Sequence, residues 1–400
     1  MNIFLTGASG FIGQHILKAC LDAGHRVTAC VRDKERMRHY FPTAQFVHGN
    51  FATDHESRDW LPRLQDMDVV INAGGIIRQQ GTNTFDAIHH KAACALFVAC
   101  EQSQVKKVIQ ISALGADDTA FSEYHLSKKA ADDFLSQLNV DWVIMMPSIV
   151  YGSGAKSMAL FKAMAALPWT PLVDKGDQAI QPIHINDLTR ARLTTITDNT
   201  IHHVRIPMIG PKPITMKTMY TLLKAWLGVR MQAYIPVPYF VTLIFARLGR
   251  FLGNTPINAD AVKMLKNGNT GNVQPFINAF GFTPVSLKQV LLQQPPIASD
   301  IVYSKQYFLL PLLKATLALL WILTGIISAV VYPVESSYSM LTQAGIPESL
   351  APVALYFAVS LDIGLGIALF AGWKLRLVVL LQVLVIFSYS LIIAIALPEY

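Results

Sequence analysis

The sequence predicts an α/β fold, a doubly wound parallel sheet with a smaller substrate-side subdomain, followed by an α-helical transmembrane bundle. Three observations carry that expectation. An apolar run at the start of the chain meets a glycine-rich turn and then a helix-periodic stretch. Strand-like and helix-like patterns alternate from there to Pro147, which calls for a parallel sheet covered on both faces. Charged residues nearly vanish after Lys305. They make up 15% of the chain, against roughly 25% in an ordinary soluble domain. The average therefore hides a soluble part, residues 1–300 with its subdomain at roughly 151–296, and a membrane part, residues 305–400.

The opening stretch runs from Met1 to Leu5, then Thr6-Gly7-Ala8-Ser9-Gly10-Phe11-Ile12-Gly13. This order reads as strand, phosphate-binding loop and helix. Gly7 permits the tight turn, Gly10 lets the backbone approach a pyrophosphate, and Gly13 lets the helix pack closely. Unpaired N–H groups at the helix start then face the phosphates. The spacing is G-x-x-G-x-x-G rather than G-x-G-x-x-G.

A second strand, Arg26–Val31, ends at Arg32-Asp33. At this place an arginine favours a ribose 2′-phosphate and an acid a free 2′-hydroxyl. Arg32 comes first, followed by Lys34, Arg36 and Arg38, so NADP(H) is favoured and Asp33 keeps NAD(H) open. Gln45–Asn50 reads as a third strand and Asp68–Gly75 as a fourth, with a long helix over about Asn83–Ser103. Val108–Ser112 is a fifth strand. Ser122 is placed to cap the helix carrying Tyr124 to Leu138. Asp141–Met146 is a sixth strand, stopping at Pro147.

Beyond Tyr151 the pattern is less regular, and prolines punctuate Pro207–Pro213 and Pro236–Pro238. Ile183–Leu188 begins another helix. Tyr239–Leu252 is apolar but short, fitting a helix that lies on the membrane or roofs a substrate cleft. Three apolar segments near residues 315–331, 350–371 and 375–397 are each long enough to span a bilayer. Lys305 and Lys314 precede the first, and Lys374 and Arg376 lie between the second and third. The loop Tyr332–Ser349 holds no lysine or arginine. The expected protein is thus multi-pass in the cell or inner membrane, its soluble domain cytoplasmic. No basic and apolar leader precedes the first strand, so export through a cleaved signal is not expected.

The net charge of +7 lacks a lysine- or arginine-rich run. It suits an anionic membrane surface rather than nucleic acid. Cys20, Cys30, Cys94 and Cys100 form no zinc or redox spacing and read as small buried side chains in a reducing compartment. His89, His90, His202 and His203 lack ligand spacing with carboxylates or cysteines, so no metal is expected.

Tyr124 and Lys128 lie four apart on one helix and share a face. Hydride transfer to a carbonyl leaves an alkoxide that needs a proton. A tyrosine supplies it if a nearby ammonium brings its pKa down. Ser112, ending the preceding strand, is placed to donate to the substrate oxygen. Asp362, inside the second apolar segment, is either a functional carboxylate or a packing carboxyl bonded to Gln382 or Tyr389. Gly364 and Gly366 let helices approach. His184 and Asp187 read as structural.

Thr6 to Gly13, Asn72-Ala73-Gly74, Ser112 to Ala116, Tyr124-x-x-x-Lys128 and Pro147 to Gly152 together resemble the short-chain dehydrogenase/reductase superfamily. The likeness is to its extended and atypical branches, which include nucleotide-sugar epimerases and the NAD(P)H-binding accessory subunit of respiratory complex I. The resemblance covers about the first three hundred residues. It implies cofactor contacts at Gly7, Ser9, Gly10, Phe11, Ile12, Gly13, Arg32, Asn50, Ala73, Gly74, Tyr124, Lys128, Pro147 and Ile149, with Ser112, Tyr124 and Lys128 catalytic. The chain departs from the pattern at Asn50, where an acid is usual, at His89, near which an asparagine is usual, and at Met146, where arginine is frequent. The last hundred residues resemble DoxX-like bundles, which have four helices, so a fourth is expected to be missing or supplied by a partner. Two functions of different class follow. One is a membrane-anchored NAD(P)-dependent oxidoreductase acting on a small lipophilic carbonyl or alcohol, with an NAD-retaining epimerase or dehydratase as its variant. The other is a non-catalytic nucleotide-binding subunit or assembly factor of a membrane complex.

Overall fold

A computed structural model describes residues 1–248, 259–266 and 268–396. It divides into one unit of residues 1–247 with 256–304 and a second of 248–255 with 305–400.

The first unit is built on a seven-stranded sheet whose pairings are all parallel. Its strands are β1 (Asn2–Thr6), β2 (Arg26–Val31), β3 (Gln45–His48), β4 (Val69–Asn72), β5 (Lys107–Ile111), β6 (Asp141–Pro147) and β7 (Val204–Met208). Their order in space is β7-β6-β5-β4-β1-β2-β3. The order reverses between β1 and β4, and ligands of such sheets bind outside the strand ends at that switch point. The central strands bury apolar residues on both sides because both faces are covered. Ile3 and Leu5 join Val27, Ile71, Ile109 and Val143 in one core. Phe4 joins Val70, Val108, Ile144 and Trp60 in the other. Burying such a side chain fully is worth about 1.5–3 kcal/mol.

Strand β7 corrects the expectation of an irregular stretch punctuated by prolines over Pro207–Pro213. Proline lacks an N–H for the ladder and is confined to sheet edges. Pro207 sits opposite Met146 on an edge strand, where only one side is paired. Strands β3 and β4 are shorter than expected, ending at His48 and Asn72.

Helix α1 (Phe11–Asp22) follows β1, and α2 (Lys34–Tyr40) follows β2. The long helix expected over 83–103 is α3 (Ala92–Glu101) preceded by a wider π-turn over Asp86–Lys91 that holds His89. Helix α4 (Glu123–Leu135) starts at Ser122, whose hydroxyl accepts from His125 N–H. It stops short of the expected Leu138. Helix α5 (Ile185–Thr197) begins with His184 accepting from Asn186 N–H, and Asp187 accepts from Val285 N–H, both structural bonds. The subdomain has its own core around Tyr151, Met158, Leu172, Met219 and Leu223. A short parallel pair, Trp169–Val173 with Ala233–Val237, leads into α6 (Tyr239–Leu248). Asp174 Oδ1 accepts from Tyr239 N–H at 2.9 Å. Phe240, Ile244 and Phe245 are exposed on α6. The remainder of the apolar stretch, residues 249–252, lies outside the described residues.

Among the described residues of the chain, three helical stretches are long and apolar enough to cross a membrane: Ala298–Val331, Glu348–Ala371 and Leu375–Ala396. In the second unit they contain α7 (Leu309–Ile326), α8 (Ala351–Ala371) and α9 (Leu375–Ala396). The loop expected over 332–349 contains a helix, Val334–Gln343. Residues 397–400 lie outside the described residues. Helices α7 and α8 pack through small residues. A Cβ on Gly325 would lie 2.6 Å from Ile363 Cγ1, and one on Gly366 would lie 2.9 Å from the Ala318 carbonyl oxygen. Asp362 and Gln382 are buried, but Asp362 Oδ1 and Gln382 Nε2 each lack a hydrogen-bond partner. The expected bond between them is not made through these atoms.

Candidate functional site

The loop after β1 and the ends of β4 and β5 converge at the switch point. Gly7 has φ +66°, and a Cβ there would lie 2.3 Å from the Ala73 carbonyl oxygen. The two strand ends thus touch through a position only glycine fits. A Cβ on Gly13 would lie 2.1 Å from the Gly7 carbonyl oxygen, so α1 packs on the loop itself. Gly10 is different. It is exposed, and a Cβ there would meet only the Gly7 carbonyl oxygen, at 3.3 Å. No side chain caps α1 at Gly10 and no acid stands in its first turn. The first-turn N–H groups of α1 lack helical partners and carry partial positive charge. That open cradle fits the pyrophosphate of a dinucleotide. Ser9 is exposed beside it, and Phe11 and Ile12 are half-buried.

At the end of β2, Arg32 is exposed, whereas Asp33 Oδ1 accepts from Arg36 N–H and caps α2. Asn50 Oδ1 accepts from Ala52 N–H, and Asp54 Oδ2 accepts from Asn50 N–H. Asp54 also pairs with Arg63 at 2.7 Å. Burial works against its charge, but Asn50 N–H and Arg63 hold its carboxyl below the usual range. Gly74 lies under Phe51. Pro147 accepts from Leu114 N–H, and Ile149 N–H donates to Asn269 Oδ1.

Tyr124, Lys128 and Asp132 recur every four residues along α4. Lys128 is buried, its Nζ donating to Ile111 O at 3.0 Å and Gly74 O at 3.3 Å. The ammonium thus ties the ends of β4 and β5 together. Burial pushes its pKa down to about 8, opposed by the Asp132 charge. Tyr124 goes the other way. Burial, then the Asp132 carboxylate, pushes its hydroxyl up to about 12. The expected depression by Lys128 is not found: burial and the Asp132 charge both act on the hydroxyl in the same upward direction.

Asp132 belongs to none of the sequence motifs, although its spacing from Lys128 puts it on the same face. It is fully buried and ends a chain of polar groups crossing the sheet. Thr6 Oγ1 donates to Asn72 Oδ1 at 2.6 Å, Asn72 Nδ2 to Gln110 Oε1 at 2.8 Å, and Gln110 Nε2 to Asp132 Oδ1 at 3.3 Å. Ser112 Oγ donates to Asp132 Oδ2. Burial pushes the Asp132 carboxyl up to about 6, against the bonds from Ser112 and Gln110 and the Lys128 charge. His89 packs edge-on to Tyr124, with ring centroids 5.3 Å apart. Its Nε2 accepts from Ile76 N–H at 3.0 Å.

Residues 7–161 match a family model described as NAD(P)H-binding, and residues 318–400 match one described as a DoxX-like family. A ceramide reductase of Caulobacter vibrioides is 25% identical over 189 residues, 46% of this chain and 57% of that protein. Subunit 9 of the NADH dehydrogenase [ubiquinone] 1 alpha subcomplex, mitochondrial, from Arabidopsis thaliana is 24% identical over 318 residues, 75% of this chain and 77% of that one. The chain therefore spans little more than half of the first relative and about three quarters of the second. Among solved structures, an NADPH-dependent quinone oxidoreductase of Escherichia coli complexed with NADPH superposes with a TM-score of 0.59 at 14% identity. It covers 73% of this chain and 99% of that one. A UDP-glucuronic acid 4-epimerase of Bacillus cereus with UDP-glucuronic acid and NAD gives 0.57 at 18% identity, covering 77% and 100%. At these identities the superpositions speak for the fold alone. By these matches the chain joins an NAD(P)H-binding domain, oxidoreductase- and epimerase-like in fold, to a DoxX-like domain with apolar helices of membrane-spanning length.

Proposed function

We propose that this chain is a membrane-anchored reductase that binds NADP(H) and delivers hydride to a lipophilic carbonyl, with Tyr124 as the proton donor. The observation that carries the reading is the pairing on α4 of a protonated Tyr124 with a buried Lys128 that grips Gly74 and Ile111 at the switch point. The nicotinamide, when bound, supplies the hydride. The cradle at Gly7, Gly10 and Gly13 orients the dinucleotide. The Tyr124 hydroxyl, held as the acid by burial, gives its proton to the developing alkoxide. Lys128, an ammonium at neutral pH, stabilises the tyrosinate left behind. Ser112 can turn its hydrogen to a substrate oxygen when Asp132 is protonated and no longer accepts it. Exposed Arg32 supports the 2′-phosphate, since Asp33 spends an oxygen on its helix cap. Lys305, Lys314, Lys374 and Arg376 support a cytoplasmic soluble domain in a multi-pass protein.

A second reading, a non-catalytic nucleotide-binding subunit or assembly factor, is favoured by the Ser112 proton being committed to Asp132. Similarity to the complex I subunit points the same way. A nucleotide bound only by the folded state stabilises it by mass action and needs no turnover.

The test is mass spectrometry of nucleotide released from the full chain purified in detergent. Quinone and lipid carbonyls are then added while nicotinamide absorbance is followed. Exchangeable NADPH consumed by the wild type but not by Tyr124→Phe supports the reductase. Retained NADPH that no carbonyl oxidises, with Tyr124→Phe fully active in the cell, overturns it in favour of the structural nucleotide. Gly10→Glu disables both.

A further inference from the structure

We propose that Asp141, His202 and His203 form a binding site for one divalent transition-metal ion, with zinc the best fit, at the N-terminal edge of the sheet. The inference is independent of the reductase reading, because the nucleotide cradle lies at the opposite strand ends.

Spacing along the sequence predicts no metal, because the histidines have no carboxylate or cysteine at ligand spacing. Spacing is blind to strand neighbours. Asp141 begins β6, and His203 directly precedes β7, which pairs with β6 in parallel. The sheet therefore sets one carboxylate beside two consecutive imidazoles. One ligand atom from each lies within 4.8 Å of the others. His203 Nε2 is 3.7 Å and His202 Nδ1 is 4.0 Å from Asp141 Oδ1.

Those separations are too long for hydrogen bonds. They are close to the spacing of ligands around an ion. Zinc bonds of about 2.0–2.2 Å in tetrahedral geometry hold donor atoms about 3.4 Å apart. A small inward movement of half-exposed side chains closes the difference. Two imidazoles and a carboxylate are also the donor types that zinc takes, leaving a fourth position for water.

The backbone points the same way. Side chains of consecutive extended residues point to opposite sides. His203 instead has φ +51°, uncommon for a residue other than glycine. Its N–H is pinned to the Trp142 carbonyl at 2.7 Å, and the two imidazole centroids are only 5.0 Å apart. Two neighbours bear on the site. His203 Nε2 lies 3.3 Å from the Val140 carbonyl oxygen, a bond that ligation replaces. Lys107 stands opposite Asp141 in the ladder, but its ammonium is held by the carbonyls of Thr195 and Asp198. It does not occupy the carboxylate. An ion here ties the start of edge strand β7 to β6, so its binding stabilises the fold by mass action.

The experiment uses the full chain in detergent, purified without a polyhistidine tag, and titrates Zn²⁺ against a chromophoric chelator. One equivalent is expected to bind, with a rise in melting temperature. Asp141→Asn, His202→Ala and His203→Gly each remove a ligand. Glycine accepts the φ of His203, so that variant keeps its backbone. Each change is expected to weaken binding by at least the ~10-fold typical of losing even an outer-shell partner. His90→Ala, on the π-turn, should leave the affinity unchanged. Nucleotide retention reports that the variants are folded. No saturable Zn²⁺ binding by the wild type overturns the proposal, as does undiminished binding by D141N/H202A/H203G.

Discussion

His89 Nδ1 donates to Ser127 Oγ at 2.9 Å, and the direction of that bond is fixed by what Ser127 does next. The Ser127 hydroxyl gives its single proton to the Tyr124 carbonyl at 2.8 Å. It can therefore only accept from His89. The other ring nitrogen accepts from Ile76 N–H. The imidazole is thus neutral, with its proton on Nδ1, and it braces the turn of α4 that carries Tyr124.

Burial, then the Lys128 charge, holds the His89 pKa well below its ordinary value. The unfolded chain takes up this proton below about pH 6.5, whereas the folded chain does not. His89 therefore makes the wild type lose stability as pH falls through that range. His89→Asn is expected to flatten this part of the profile. His89→Ala, which leaves Ile76 N–H unpaired, should cost about 1–3 kcal/mol at neutral pH. Thermal unfolding across pH checks both. An unchanged profile in His89→Asn would contradict the assignment.

Ser112 and Asp132 predict a pH-dependent mutant effect. Above the Asp132 pKa of about 6, the serine proton belongs to the carboxylate. Ser112→Ala should then cost stability, about 1–3 kcal/mol for the unsatisfied oxygen, with little change in kcat. Below that pKa the loss of kcat should grow, because the hydroxyl is free to serve a substrate oxygen. Steady-state kinetics on either side of pH 6 measure it. An equal loss at all pH values would separate Ser112 from Asp132.

The glycines of the loop should divide into two classes. Gly13→Ala forces a Cβ to 2.1 Å from the Gly7 carbonyl oxygen. It should destabilise the fold by about 1–3 kcal/mol, as overpacking does. Gly10→Ala, with its nearest contact at 3.3 Å, should leave the melting temperature almost unchanged and weaken nucleotide binding. Comparing melting temperature with nucleotide retention separates the two.

Within the second unit, Gly366→Leu drives a side chain into Ile322 and the Ala318 carbonyl, so it should separate α7 from α8 and lower thermal stability in detergent. A Cβ on Gly364 would meet nothing within 4 Å, so Gly364→Leu should be tolerated. Equal loss from both would refute close α7–α8 packing.

The strand–loop–helix at Thr6 to Gly13, the Tyr124–Lys128 face and the apolar spans were legible in the sequence for one reason. Each is written over a few neighbouring residues, as a helix or strand period or as continuous hydropathy. Ser122 as a helix cap is of the same kind. Strand β7 was not legible, because Pro207 is permitted only by its edge position, and edge or centre is a property of the whole sheet.

The chain alone thus determined the strand–loop–helix start, most of the central strands and helices, the apolar spans, and which side chains share a helix face. Tertiary structure decided what those side chains meet. Asp132 receives the Ser112 proton, His89 braces Tyr124, and Asp141 lies beside His202 and His203 only because parallel pairing brings residues distant in sequence together. The same folding buries Tyr124 beside Lys128 and raises its pKa where proximity alone would lower it. Desolvation depends on everything packed around a group, and no local spacing records it.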